Sequence, residues 1–177
     1  GKAHDAIHRC SYFMRQIRNL MYALPLILLF INTSTPRTIN APHFALYNLN
    51  GQLVTLRKEI KSNNIILAFF ASYCVPCKRE IPELQAIATT HNQSCKLLLI
   101  NIDREGAQKA EQFLSNNNIH NVECLLDIYQ TVISKYVPEK KVPAFFLINK
   151  NRQILIKSIG DNPGNINRLK NILSNIR

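Results

Sequence analysis

The sequence contains no second Cys-x-x-Cys and no His-x-His cluster. The ligand pattern of a structural zinc site is therefore missing. No apolar run approaches the roughly 20 residues that a membrane-crossing helix needs, the nearest being LMYALPLILLFI at residues 20–31. Acidic residues are scarce, 11 against 22 basic ones, for a net charge of +11. Such an excess is compatible with anionic partners. However, the basic pairs Arg57-Lys58, Lys78-Arg79 and Lys140-Lys141 are scattered and have no aromatic platform beside them, which argues against a nucleic-acid groove. Neither internal repeats nor low-complexity tracts stand out. A chain of 177 residues leaves no room for a second full domain beside the first, and 46% apolar with 19% charged residues is a globular balance.

What is present begins with an address. Arg15 and Arg18 precede the apolar stretch, as in an export signal, so residues 14–35 read as a signal peptide or membrane anchor. Both readings stay open, because no A-x-A pattern precedes Pro42. Residues 1–13 carry Asp5 and two histidines ahead of Met14 and read as a non-native or upstream leader. Residues 36–41 read as a linker, and the domain is expected over residues 42–177.

From Pro42 onward, strand and helix patterns alternate. HFALYNL and QLVTL flank Asn50-Gly51, a pair suited to a type I′ hairpin turn. NIILAFFA and KLLLINI are continuous apolar runs, expected of strands buried on both faces. Between them, residues 76–91 place Cys77, Ile81, Leu84 and Ala88 on one helical stripe. Helices are expected near residues 107–116 and 128–136, with the short strand VECLL between them. A hairpin around residues 149–151 and a closing amphipathic helix with Ile166, Leu169, Leu173 and Ile176 on one face complete an α/β sandwich.

Cys74 and Cys77 fall where the first buried strand gives way to the helix. Backbone N–H groups and the helix dipole stabilise an anion there, so Cys74 is expected to be a reactive thiolate nucleophile. Cys77, one turn inward, is placed to resolve a mixed disulfide. Pro76 suits the first helical turn, where its missing N–H costs nothing. As a purely structural staple the pair would close too small a loop to stabilise much. Peroxidase chemistry would need an activated cysteine with partners that Ser72 and Arg79 poorly supply. A copper carrier would want a histidine beside Pro143, and none is there. Cys95 and Cys124 stay open between buried thiols and a second bridge.

The stretches APHFALYNLNGQLVTL, NIILAFFASYCVPCKREIPEL, KLLLINID, VECLLD and KVPAFFLINKNRQILIKSIG resemble the TlpA/ResA-like thioredoxins, exported, membrane-associated thiol-disulfide oxidoreductases. The resemblance implies a thioredoxin-like fold, a central mixed sheet flanked by helices, with an N-terminal hairpin and an inserted helix-strand between Asp103 and Leu126. It also implies a redox-active Cys74-Cys77 disulfide and a cis-proline at Pro143, where Val142 would offer backbone groups to a docking chain. Pro82 matches the kink of the family's first helix. Tyr73, Val75, Pro76, Val142, Lys140 and Lys141 are expected to line the substrate groove. For Tyr73 a core role, and for the two lysines a plain charged loop, remain as alternatives.

Departures from the family pattern matter as well. Thioredoxins bury an aspartate six residues before the first active-site cysteine, where this chain has Ala68. The proton shuttle must come from elsewhere, and Glu80 is the candidate, flanking the apolar stripe at the active-site end of the helix. Its alternative is a solvated glutamate paired with a lysine. Val75-Pro76 between the cysteines adds no donor or charge, unlike the histidine common in strong oxidants. The expected activity is therefore reduction of disulfides in exported proteins, apocytochrome c among them, with re-reduction by a membrane electron donor. No cofactor, metal or nucleic acid is expected, the location is periplasmic or otherwise extracytoplasmic, and the chain is expected to act as a monomer.

Overall fold

A computed structural model describes residues 38–175. The leader at 1–13, the export or anchor segment at 14–35, the start of the linker and Ile176 lie outside the described residues. No helix among those described is long and apolar enough to cross a membrane.

Two short strands, β1 (Ala45–Tyr47) and β2 (Leu53–Thr55), form the amino-terminal hairpin as a separate antiparallel sheet. Its turn is not the type I′ expected. Only Gly51 has positive φ, at 73°, and the loop closes through Asn48 N–H to the Gln52 carbonyl and Gly51 N–H to the Asn48 carbonyl. The reason is Asn48, whose side-chain oxygen accepts from the backbone N–H groups of both Asn50 and Gln52 and fixes a three-residue loop.

After a one-turn helix α1 (Leu56–Glu59) come β3 (Asn64–Phe70), α2 (Cys77–Thr90), β4 (Cys95–Asn101), α3 (Ala107–Asn116) and β5 (Glu123–Leu126). The short α4 (Ile133–Tyr136), β6 (Ala144–Ile148), β7 (Ile154–Ile159) and α5 (Pro163–Asn175) follow. The five-stranded sheet runs β5-β4-β3-β6-β7, parallel from β3 to β5 and antiparallel through β6 and β7. All seven residues of β3 are buried, as the unbroken apolar run predicts. Each large apolar side chain removed from water there contributes about 1.5–3 kcal/mol.

Alternation along the strands assigns the faces. Phe69 and Phe146 point to the side where Tyr136 of α4 packs, with ring centroids 5.4 and 5.1 Å from Tyr136. The Tyr136 hydroxyl donates to the Pro42 carbonyl at 2.6 Å, fastening the start of the domain. On the opposite face Ser158 accepts a hydrogen bond from Asn165 of α5, and Lys170 of α5 pairs with Glu83 of α2.

Two further sequence expectations need correction. The helix at 128–136 shrinks to its last turn, because the Asp127 carboxylate accepts from the backbone N–H groups of Thr131, Val132 and Ile133 and so holds a turn before α4. Part of the segment read as a linker is built into the fold. Asn40 bridges Gln153, Ala41 is fully buried, and Ile154 N–H bonds to the Ile39 carbonyl.

Candidate active site

The sheet has two ends, and its carboxyl ends of β3, β4 and β5 converge with the start of β6 and the end of β7. β3 stops at Phe70, and a tight loop through Cys74, whose N–H bonds to the Ala71 carbonyl, leads into α2. Pro76, at φ −64° and ψ −28°, already has helical geometry and starts the helix directly.

Asp103, just beyond β4, pins this loop. It accepts from Ser72 N–H at 2.7 Å, from the Ser72 hydroxyl at 3.1 Å and from the Asn101 amide at 2.7 Å. Sequence reasoning passed over Asp103, although the Asn-x-Asp run at the end of a buried strand was the signal available. Only the parallel pairing of β3 with β4 shows what it holds.

The Cys74 and Cys77 sulfurs are bonded to each other, with Cα atoms 5.4 Å apart. Cys77 N–H points at Cys74 Sγ at 3.3 Å. Cys77 is fully buried, whereas Cys74 keeps 4% of its surface open. The outer sulfur thus has both the access and the adjacent N–H donor that favour a thiolate.

Glu80, one turn further along α2, is 5% exposed. Its carboxylate takes part in no hydrogen bond or ion pair with the described residues, so it is not a glutamate paired with a lysine. Burial, reinforced by the negative charge of Asp161, pushes its pKa up to about 7, against the opposing pull of Arg79. Asp161, in the turn after β7, also forms an ion pair with Arg79 across the helix. It too was missed from sequence, since its place beside α2 is a tertiary fact. α2 continues through Pro82, which leaves the Lys78 carbonyl without its usual i+4 donor.

The Val142-Pro143 peptide is cis. Ala144 pairs with Phe69, so Pro143 stands opposite the end of β3 and beside the loop that carries Cys74. The Pro143 carbonyl accepts from Gly160 N–H, while neither the N–H nor the C=O of Val142 takes part in a hydrogen bond among the described residues. Tyr73 and Val75, 69% and 70% exposed, stand as an apolar rim on either side of Cys74. Tyr73 is therefore no core residue. The Lys141 side chain lies across Gly160, where a β-carbon would come within 3.2 Å of it. Lys140 is exposed on the same loop with φ of 52°, and no contact ties it to the cysteines.

Cys95 and Cys124 are buried free thiols. The second-bridge reading falls, because Cys124 pairs with Leu99, four positions along β4 from Cys95. That is roughly 13 Å of strand, well beyond the ~7 Å between Cα atoms that a disulfide tolerates. Among the described residues no cluster of three or more His, Cys, Asp or Glu side chains is placed to hold a metal ion.

A model of the AhpC/TSA family matches residues 39–156. The chain is 28% identical to sporulation thiol-disulfide oxidoreductase A of Bacillus subtilis over 66% of its own length and 70% of that protein. It is 25% identical to the thiol-disulfide oxidoreductase ResA of Bacillus thuringiensis over 68% of both chains. Among solved structures, StoA from Bacillus subtilis superposes with a TM-score of 0.58 at 26% identity, covering 74% of this chain and 96% of that one.

Proposed function

Because the chain belongs to the AhpC/TSA family, within its ResA-like thiol-disulfide oxidoreductases, we propose that it reduces disulfides in exported proteins through a Cys74-Cys77 dithiol cycle. The observation that carries this reading is the bonded cysteine pair at the start of α2, with the Cys77 N–H directed at Cys74 Sγ.

In the proposed cycle the Cys74 thiolate attacks one sulfur of a substrate disulfide. The substrate S–S bond breaks, one substrate thiolate leaves, and a mixed disulfide forms. Glu80, ionised near neutrality, takes the proton of the Cys77 thiol. The Cys77 thiolate then attacks Cys74 Sγ, releases the second substrate thiolate and closes the Cys74-Cys77 disulfide. Two electrons pass to the substrate, and a membrane electron donor restores the dithiol. The backbone groups of Val142, unbonded among the described residues, support docking of an extended substrate segment beside Pro143, with Tyr73, Val75, Pro76 and Lys141 around it.

Export or anchoring through residues 14–35, an extracytoplasmic location and apocytochrome c as a substrate rest on the sequence and on the ResA-like relatives. The absence of histidine between the cysteines supports the reducing direction. The deciding measurement is the Cys74-Cys77 reduction potential, combined with trapping of substrates on Cys77→Ser from cells. A potential well below that of the oxidant DsbA and trapped exported thiol proteins are expected. A value near −120 mV would reverse the direction of electron flow.

A further inference from the structure

A recess of about 280 Å³ opens beside the cysteine pair, between the loop before α2 and the outer face of α3. Tyr73, the residue immediately before Cys74, forms one wall. Lys78 from the first turn of α2 and Lys109, Gln112 and Asn116 from successive turns of α3, with Ser72 and Asn117, form the rest, above Phe113, which is buried.

The lining is chemically one-sided. Two ammonium groups and several amides supply hydrogen-bond donors, and among the described residues no carboxylate lines the recess. The ion pairs among the described residues join Arg79 to Asp161, Lys96 to Glu59 and Glu123, and Lys170 to Glu83, so neither Lys78 nor Lys109 is neutralised in this way. The nearby Asp103 carboxylate is buried and already accepts from Ser72 and Asn101. Lys78 also sits in the first turn of α2, the end where the helix dipole disfavours a cation.

We infer that this recess is a substrate subsite that takes an aspartate or glutamate side chain lying close in sequence to the substrate's disulfide cysteine. The inference rests on the proposed disulfide exchange at Cys74 and adds its specificity. The wall shared with Tyr73 sets the reach. A polypeptide extended across Cys74 advances about 3.3 Å per residue, so a side chain within about three residues of the attacked cysteine enters the recess. The charge match then favours an acidic residue and repels a basic one.

The test uses cystine-linked peptides in which Glu, Gln or Lys is placed in turn at each position within three residues of the cysteine. Second-order rates of exchange with the reduced protein are measured at low and high salt. At one or two positions Glu is expected to react about fivefold faster than Lys, with Gln between, the size expected of an exposed charge contact. High salt should compress the ratio. In Lys109→Glu, and more so in the double variant with Lys78→Glu, the ratio at those positions should invert. An equal advantage for Glu at every position would mean general attraction to a basic chain and would overturn the subsite, as would a ratio that Lys109→Glu leaves unchanged. Failure of the unaltered reduced protein to reduce hydroxyethyl disulfide, which is uncharged, would count instead against the proposed function.

Discussion

The two ends of the five-stranded sheet are built from similar residues and behave differently. At the far end, polar groups are spent. Asn149 bonds to the N–H groups of Asn151 and Gln153 and to the Gln153 side chain, Lys96 lies between Glu59 and Glu123, and Cys95 is sealed in. At the Cys74 end, Glu80 is buried and, like the Val142 backbone, bonds to nothing among the described residues, while apolar Tyr73 and Val75 face water. The far end is organised to hold. The near end keeps available the groups that a reaction would use.

The cysteines state the contrast most sharply. Burial in apolar surroundings pushes the thiols of Cys95 and Cys124 up to about 12, which keeps them protonated and unreactive. Cys74 instead receives an N–H from the helix start. Replacing Cys74 by Ser should lower disulfide exchange by about a thousandfold or more. Among the four cysteines of the described residues, iodoacetamide should label only the 74–77 pair of the reduced protein until it is unfolded, as peptide mapping would show. Labelling of Cys95 or Cys124 in the native state would break the comparison.

Glu80 gives the next largest effect. Its carboxyl ionises near 7 in the folded protein against 4.5 for the free group. Between those values the folded state holds a proton that the unfolded chain has lost, so stability falls as pH rises from about 4.5 to 7 and stays at the lower level above. The difference corresponds to about 3 kcal/mol. Glu80→Gln, kept oxidised, should therefore unfold at higher denaturant than the parent at pH 8, with the gap closing near pH 4. The variant should also lose a rate inflection near pH 7.

Smaller changes probe the far end. Cys124→Ser buries a hydroxyl in a thiol's place and should cost about 1–3 kcal/mol in denaturant unfolding while leaving exchange rates unchanged. The smallest effect is expected at the β6–β7 turn. NKNRQ there repeats the hydrogen bonding of NLNGQ in the first hairpin, but Arg152 occupies the left-handed position, φ 65°, that Gly51 fills in the other. Arg152→Gly should raise stability by about 0.5–1 kcal/mol, read as a shift in melting temperature. No shift would mean that the two turns differ in more than the residue at that position.

Local rules account for much of what was legible beforehand. A seven- or eight-residue apolar run between polar segments fits a strand covered on both sides, a 3.6-residue stripe fits a helix with one buried face, and two cysteines two residues apart at such a junction fall at a helix start. Those facts reside in neighbouring residues and need no fold. The helix expected at 128–136 failed because one side chain, Asp127, outcompeted the backbone pattern. Tertiary structure alone decided that Asp103 holds the Cys74 loop, that burial, reinforced by Asp161, raises the Glu80 pKa, that Cys95 and Cys124 stand too far apart to bond, and that Lys78 meets Lys109 across a recess. Each depends on strand order and register, which bring together residues tens of positions apart, and electrostatic energy follows distance in space rather than along the chain.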